Sequence, residues 1–128
     1  MKSYELSFGI INIIKNNLAE VIVNEGVVMD ELIIDEYHDF LLTNLEAPFS
    51  LLINKKHSYT YTFEAQKTIA HLDQINKMAV LFTTSGAYMS TKTLMSVNTG
   101  IDSKIRMFQN RDEALNWLTN VLTKTQTF

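Results

Sequence analysis

The sequence contains no cysteine and only one proline, Pro48, among its 128 residues. The missing cysteines exclude disulfides, thiol nucleophiles and thiolate zinc sites. The 4 glycines are scattered, so neither a flexible linker nor a glycine-rich phosphate-binding motif is present. Any chemistry must therefore come from side chains with oxygen or nitrogen groups. Because the chain contains no linker, we treat residues 1–128 as a single domain.

Charge is also sparse, since 11 Lys and Arg side chains against 14 Asp and Glu give a net charge of -3. Nucleic acid requires a basic face, so we expect no nucleic-acid partner. A hydrophobic content of 46% excludes intrinsic disorder. The first residues do not show the basic segment followed by an apolar segment that is typical of a signal peptide. Apolar runs such as Met78–Phe82 are far shorter than the roughly 20 residues of a membrane helix. The sequence therefore predicts a cytoplasmic protein without a membrane span.

Hydrophobic patterning predicts strands that alternate with helices. The predicted strands are a hairpin over Tyr4–Asn24, with its turn at Asn16-Asn17 and its return strand at Leu18–Val23, and then Phe49–Ile53, Met78–Phe82 and Lys104–Phe108. The predicted helices are Asp30–Asn44, Phe63 to about Asp73, Ala87–Val97, and a last one capped by Asn110 with a stripe of Ala114, Leu115, Leu118, Val121 and Leu122. This alternation is typical of an α/β domain with a mostly parallel sheet. We predict a mixed sheet of roughly four to five strands, an N-terminal β-hairpin at its edge, and about four helices.

Three histidines are the natural candidates for catalysis or metal binding. His38 lies beside Asp35 and Asp39 at a spacing that permits metal ligation, but a solvated polar face explains this charged cluster. His71 is predicted to lie on the outer face of the second helix. His57 follows a central strand, where open α/β sheets bind ligands, yet it has no partner identifiable from the sequence. We therefore assign no catalytic residue, no metal and no cofactor.

The stretch from His57 to Phe63 alternates aromatic and hydroxyl side chains, so an extended backbone places three rings on one side. Two interpretations stay open. The rings cover the edge of the sheet, or they form a recognition surface, since tyrosine combines a large contact area with a polar group. The adjoining Lys55-Lys56-His57 is the basic cluster of the chain. Candidate ligand- or partner-binding residues are His57, Ser58, Tyr59, Tyr61, Thr62 and Phe63.

The third predicted helix is the second irregular segment. Tyr88 lies at the border of the predicted core stripe of this helix, and Met89 lies outside that stripe. Apolar side chains around much of a helix indicate either deep burial or a partner, and methionine is frequent on adaptable binding surfaces. Both interpretations stay open, and Tyr88 and Met89 join the candidate site.

The turn Thr84-Ser85-Gly86 ends a strand and opens this helix, so its backbone amides could hold an anion. Capping of the helix by Ser85 is the simpler interpretation.

Four apolar side chains fall outside the core stripes of their predicted helices. They are Leu32, Leu42, Met89 and Val97. Unburied apolar groups of this kind mark contact surfaces, so they predict a homodimer.

The second half of the chain resembles a known family. The apolar strand Ile75–Phe82, the helix after it, and the ending Ile105–Leu118 with its Glu113-Ala114 and Trp117-Leu118 pairs resemble the small bacterial STAS-like (SpoIIAA-like) domains. The ending is similar to that of uncharacterised STAS/SEC14-type domains. The resemblance implies a mixed sheet with helices packed on it, and frequently a dimer.

The best-studied proteins of this family are anti-sigma-factor antagonists, which bind a kinase partner and are switched by a phosphoserine that opens a helix. The corresponding place here reads Thr62-Phe63-Glu64-Ala65, which lacks the glycine and the paired small hydroxyls. Glu64 would repel an added phosphate. The resemblance thus implies a non-enzymatic protein-interaction or regulatory module without the phosphoserine turn, acting on an unknown protein partner.

Binding of a lipid or other apolar small molecule is the alternative that the SEC14-type resemblance implies. The expected pocket lining is Phe63, Tyr88, Met89 and Met95. An enzyme is a third possibility, in which His57 is the first residue to test.

Overall fold

The computed structural model describes residues 2–98 and 100–119. The strands are β1 Lys2–Leu6, β2 Gly9–Lys15, β3 Leu18–Val23, β4 Val28–Met29, β5 Phe49–Asn54, β6 Thr60–Tyr61, β7 Ile75–Leu81 and β8 Ile105–Phe108. The helices are α1 Glu31–Asn44, α2 Phe63–Thr68, α3 Ser85–Val97 and α4 Arg111–Thr119, with a short 3-10 helix at Ile101–Ser103. Within this described part, no helix is both long enough and apolar enough to cross a membrane.

Six of the strands form one mixed sheet in the order β1-β2-β3-β5-β7-β8. The β1-β2 and β2-β3 pairs are antiparallel, and the β3-β5, β5-β7 and β7-β8 pairs are parallel. The predicted α/β class, mixed sheet and antiparallel N-terminal edge are confirmed. The structure adds β1 to that edge, because a turn at Ser7-Phe8 divides the first predicted strand. Gly9 permits this arrangement, since a Cβ there would overlap the backbone of Ile22 in β3.

The parallel strands β3, β5, β7 and β8 all end at one side of the sheet, which we call the carboxyl edge. The helices α1, α2 and α3 each follow one of these strands. Helix α2 lies between the other two and packs against both. They cover one face of the sheet. Helix α4 packs against β5 and β7 on the other face.

The two faces bury cores of unequal size. The larger core lies beneath α1, α2 and α3 and includes Phe8, Leu41, Phe49 and Leu51, all at most 1% exposed. The smaller core, beneath α4, consists of Leu18, Leu52, Ala79, Ala114 and Leu118. Ala114 and Leu118 confirm the predicted stripe of the last helix, and Val121 and Leu122 lie outside the described residues.

Helix ends follow the local chemistry of their caps. Asp30 caps α1 by accepting a hydrogen bond from the Ile33 amide at 2.9 Å. Asn110 is the cap of α4, as predicted, and accepts a hydrogen bond from the Glu113 amide at 3.0 Å. The predicted cap of α3, Ser85, is wrong. Thr84 has the extended backbone and accepts the hydrogen bond from the amide of Ala87 at 3.1 Å.

The second helix is shorter than predicted, because it ends at Thr68 and a tight turn carries the chain into β7. Two histidines pack against this region. The half-buried His38 ring lies with Nε2 2.9 Å from the carbonyl oxygen of Ile69, so the prediction of a purely solvated face is wrong for His38. Exposed His71 lies with Nε2 2.7 Å from Oδ1 of Asn98, at the end of α3.

Candidate functional site

A two-stranded strap crosses the carboxyl edge of the sheet. It consists of β4 and β6, in which Val28 pairs with Thr60 and Met29 with Tyr61 in parallel register. The amide of Gly26 donates to the carbonyl of Ser58 at 2.7 Å and extends this contact. The segment 57–63 is therefore held down on the molecule along much of its length.

Of the three rings that were predicted to share one side, the strap directs two toward the interior. Tyr59 is 9% exposed, and the Tyr61 hydroxyl donates to the Tyr59 hydroxyl at 3.3 Å. Burial raises the pKa of Tyr61 to about 12, and burial raises the pKa of Tyr59 well above its ordinary value. Phe63 is 63% exposed, because α2 begins there and ends the extended alternation. The prediction that all three rings share one side is therefore wrong for Phe63.

Beneath the strap lies an apolar cavity of about 40 Å³. Its walls come from β3, β5, β7, α1 and α3, and its lining includes Val21, Tyr37, Ile53, Tyr59, Tyr61, Met78 and Leu94. A cavity of this size holds only a few water molecules. Phe63, Tyr88, Met89 and Met95, the pocket lining implied by the SEC14-type resemblance, do not line this cavity.

Lys55 lies at the rim of this cavity, directly after β5, and is only 6% exposed. Its ammonium group lies 5.0 Å and 5.2 Å from the ring centroids of Tyr59 and Tyr61. Over residues 2–98 and 100–119 the ammonium makes no hydrogen bond or ion pair. Burial lowers the pKa of Lys55 to about 8.

The same lysine also lines an open cleft of about 430 Å³ at the carboxyl edge. The cleft lies between the loop after β5 and the start of α3. Its lining residues are Glu25, Lys55, Lys56, His57, Ser58, Tyr59, Thr84, Gly86, Ala87 and Ser90. The carboxylate of Glu25 is engaged, since its Oε1 accepts a hydrogen bond from the Ser58 amide at 2.8 Å.

The other predicted site residues fall into separate places. Thr62 caps α2, where its hydroxyl oxygen accepts a hydrogen bond from the Ala65 amide at 3.1 Å. Half-buried Tyr88 packs its ring against Phe82, with centroids 5.3 Å apart. Met89 is 60% exposed on the surface of α3. The structure thus brings together only His57, Ser58 and Tyr59 in the cleft, and Tyr59 with Tyr61 in the cavity.

A second buried charge, Glu20 in β3, was not predicted from the sequence. It is 4% exposed, and its two oxygens accept hydrogen bonds from Arg111 at 2.6 Å and 2.9 Å and from Asn54 at 2.9 Å. Burial by itself would raise the pKa of Glu20, but the hydrogen bonds from Arg111 and Asn54 outweigh it and hold that pKa below the ordinary 4.5. Glu20 and Arg111 lie 91 residues apart in sequence, so no local pattern could have paired them.

Comparison with known proteins identifies the architecture. No protein-family model matches the sequence, and no curated protein matches it. Among solved structures, an uncharacterized protein from the DUF3478 family with a SpoIIAA-like fold, from Shewanella loihica PV-4, superposes with a TM-score of 0.55. The chain has a SpoIIAA-like fold.

The superposition covers 92% of this chain and 98% of that protein at 14% sequence identity. The resemblance to SpoIIAA-like domains inferred from the sequence is therefore confirmed at the level of fold. Fold alone does not assign a partner, so function has to be argued from the surface of this chain.

Proposed function

We propose that this SpoIIAA-like chain is a non-enzymatic binding and regulatory module that docks a protein partner at its carboxyl edge. The observation that carries the proposal is a set of exposed apolar side chains at that edge. Leu32 in the first turn of α1 is 80% exposed, Phe63 at the start of α2 is 63% exposed, and Met89 in α3 is 60% exposed. Apolar groups gathered on one side of a surface are typical of protein interfaces.

The size of the cavity supports a protein partner over an apolar small molecule. Pockets for drug-sized ligands occupy roughly 300–1,000 Å³. The cavity of about 40 Å³ beneath the strap is far too small for a lipid. Exposed rings and aliphatic groups, by contrast, need no rearrangement to contact a partner surface.

The start of α2 supports docking that is independent of phosphorylation at this turn. The Thr62 hydroxyl already caps the helix, and Glu64 lies in the first turn. A phosphate on Thr62 would disrupt the cap and face a like charge. We therefore propose that binding does not depend on the phosphoserine switch found in the anti-sigma-factor antagonists.

The buried tyrosines support a non-enzymatic role. Their hydroxyls bond to each other, and their raised pKa values keep both protonated near neutral pH. Neither group can therefore serve as a general base there.

Two exposed leucines on one helix provide a matched experiment. Leu32 lies in the first turn of α1, and Leu42, 45% exposed, lies in its last turn at the opposite end of the sheet. We expect Leu32→Ser and Phe63→Ser to reduce recovery of a co-purifying protein from the native host about tenfold, while Leu42→Ser leaves recovery unchanged. Recovery should be quantified by mass spectrometry, and circular dichroism should confirm that each variant is folded.

Equal recovery by all variants would argue against docking at the carboxyl edge. The predicted homodimer is tested separately, by sedimentation of the wild-type protein at micromolar concentration. A dimer that Leu32→Ser dissociates and Leu42→Ser does not would identify the partner as a second copy.

A further inference from the structure

We infer that the cleft between the loop after β5 and the start of α3 binds a small oxyanion, namely the phosphate or carboxylate group of a small molecule. This site goes beyond the docking of a protein partner, because it uses charged and backbone groups rather than exposed apolar side chains. Two independent observations, the Lys55 ammonium and the exposed start of α3, point to the same cleft.

The first observation is that Lys55 is a buried cation without an anionic partner. Lysine is rarely buried unless it is paired, because desolvation of its charge is costly. Here Lys55 is 6% exposed and lines the cleft, and its ammonium lies 5.0 Å and 5.2 Å from the ring centroids of Tyr59 and Tyr61. No fully buried side-chain nitrogen among the described residues lacks a hydrogen-bond partner, so the ammonium reaches solvent. Contacts with aromatic faces offset part of the desolvation cost but supply no hydrogen-bond acceptor. An anion in the cleft would supply one.

The second observation is the start of α3, a helix of 13 residues. First-turn amides have no acceptor within a helix, and the helix dipole favours negative charge there. The Thr84 hydroxyl satisfies one of these amides, that of Ala87, at 3.1 Å. Gly86 lines the cleft, and a Cβ added to it would meet no heavy atom within 4 Å. The backbone at Gly86 is therefore open to a ligand on that side.

The remaining groups of the cleft favour an anion over a cation. Lys55, Lys56 and His57 face a single carboxylate, Glu25, which is already held by the Ser58 amide. Lysine binds phosphate as a point charge and needs no planar geometry. The volume of about 430 Å³ lies within the usual range for small-molecule sites.

The test is a titration of the 15N-labelled full chain with inorganic phosphate, and separately with acetate, at constant ionic strength adjusted with sodium chloride. We expect saturable shifts of the Ser85 and Gly86 amide signals. Lys55→Met should weaken the fitted affinity about tenfold or more, because it removes the hydrogen bond that a charged ammonium donates to the anion. Lys92→Met is the control, since it removes the same charge from an exposed position on α3 and should change the affinity by less than about twofold.

A second variant keeps the test decisive if Lys55→Met does not fold. Gly86→Asp places a carboxylate in the open space at the start of α3, where negative charge stabilises a helix. We expect it to fold at least as well as the wild type and to lose the saturable shift, since its own carboxylate occupies the site. Phe63→Ser should bind phosphate as the wild type does, which separates this site from the docking surface.

Each outcome is informative about the source of the anion. Saturation by phosphate alone, by acetate alone or by both supports the site and identifies the group that it prefers. The absence of saturable shifts in the wild type overturns the inference. Shifts that survive both Lys55→Met and Gly86→Asp also overturn it, because the anion would then be bound elsewhere.

Discussion

Two buried charged side chains, one on β3 and one directly after the neighbouring β5, differ in whether they have hydrogen-bond partners. Glu20 in β3 accepts hydrogen bonds from Arg111 and Asn54, whereas the ammonium of Lys55, just after β5, lies over two aromatic rings and has no hydrogen-bond acceptor within the described part of the chain. Asn54 and Lys55 are adjacent in sequence, and alternation of side chains sends one toward α4 and the other toward the cavity. A buried charge with a partner is therefore part of the framework of the fold, while a buried charge without a partner is available to a ligand.

The largest effect is expected from breaking the paired charge. Arg111→Met leaves the Glu20 carboxylate buried without its cation, and we expect a loss of about 2–4 kcal/mol in the free energy of unfolding, measured by urea denaturation. The side chain of Arg111 is itself 43% exposed, so water will replace part of the interaction. Arg106→Met is the control, since Arg106 is exposed and should cost less than about 1 kcal/mol. Equal losses for the two variants would contradict a framework role for Glu20.

The same pair has a defined pH dependence. The pKa of Glu20 is lowered in the folded protein, so its stabilising contribution is present above its ordinary value of 4.5 and is lost as the pH falls through the folded-state pKa. The stability difference between the wild type and Arg111→Met should therefore shrink below pH 4.5. A difference that stays constant into strong acid would argue against this linkage.

An effect of opposite sign is expected from removing the unpaired charge. Lys55→Met replaces a buried ammonium with an apolar group of similar length, and we expect a gain of about 1–3 kcal/mol at pH 7. Burial lowers the pKa of Lys55 to about 8 from 10.5, so the unfolded chain binds the proton more strongly between these values. The wild type should therefore recover stability relative to Lys55→Met as the pH rises above 8.

Urea denaturation of both proteins from pH 7 to pH 9.5 measures this difference. A stability gap that does not narrow over this range would mean that Lys55 has an acceptor in the folded protein, and the contrast with Glu20 would fail.

The smallest effect is expected from a buried polar pair that carries no charge. Tyr61→Phe removes the hydroxyl that lies 3.3 Å from the Tyr59 hydroxyl and leaves the ring in place. We expect a loss of about 0.5–1.5 kcal/mol, typical of one neutral hydrogen bond, observed as a small fall in Tm. A loss as large as that of Arg111→Met would show that the strap depends on this pair more than on its backbone hydrogen bonds.

Elements with a clear hydrophobic period were predictable from the sequence. The apolar stripe of α1 and the apolar runs of β5 and β7 correspond to predicted segments, because side-chain periodicity reflects burial directly. The strap was not predictable, because strands of two residues are too short to show a period. Its backbone pairing nevertheless decides that Tyr59 points inward.

The site was predicted only in part for a similar reason. His57, Ser58 and Tyr59 were identified from the loop after a central strand, and all three line the cleft. The sequence places Lys55 only in a basic cluster and does not predict its burial, because a charged residue is normally exposed. Its burial comes from the two tyrosine rings, which lie beside its ammonium only in the folded chain.

The outer strands of the sheet have a consequence for aggregation. Strands β1 and β8 form its two edges, and exposed charged side chains stand on both, namely Lys2 and Glu5 on β1 and Arg106 on β8. An unpaired backbone edge can template growth into fibrils, and charges on the edge oppose such growth. We therefore expect copies of this protein to meet through their helices, while the sheet itself stays closed to added strands.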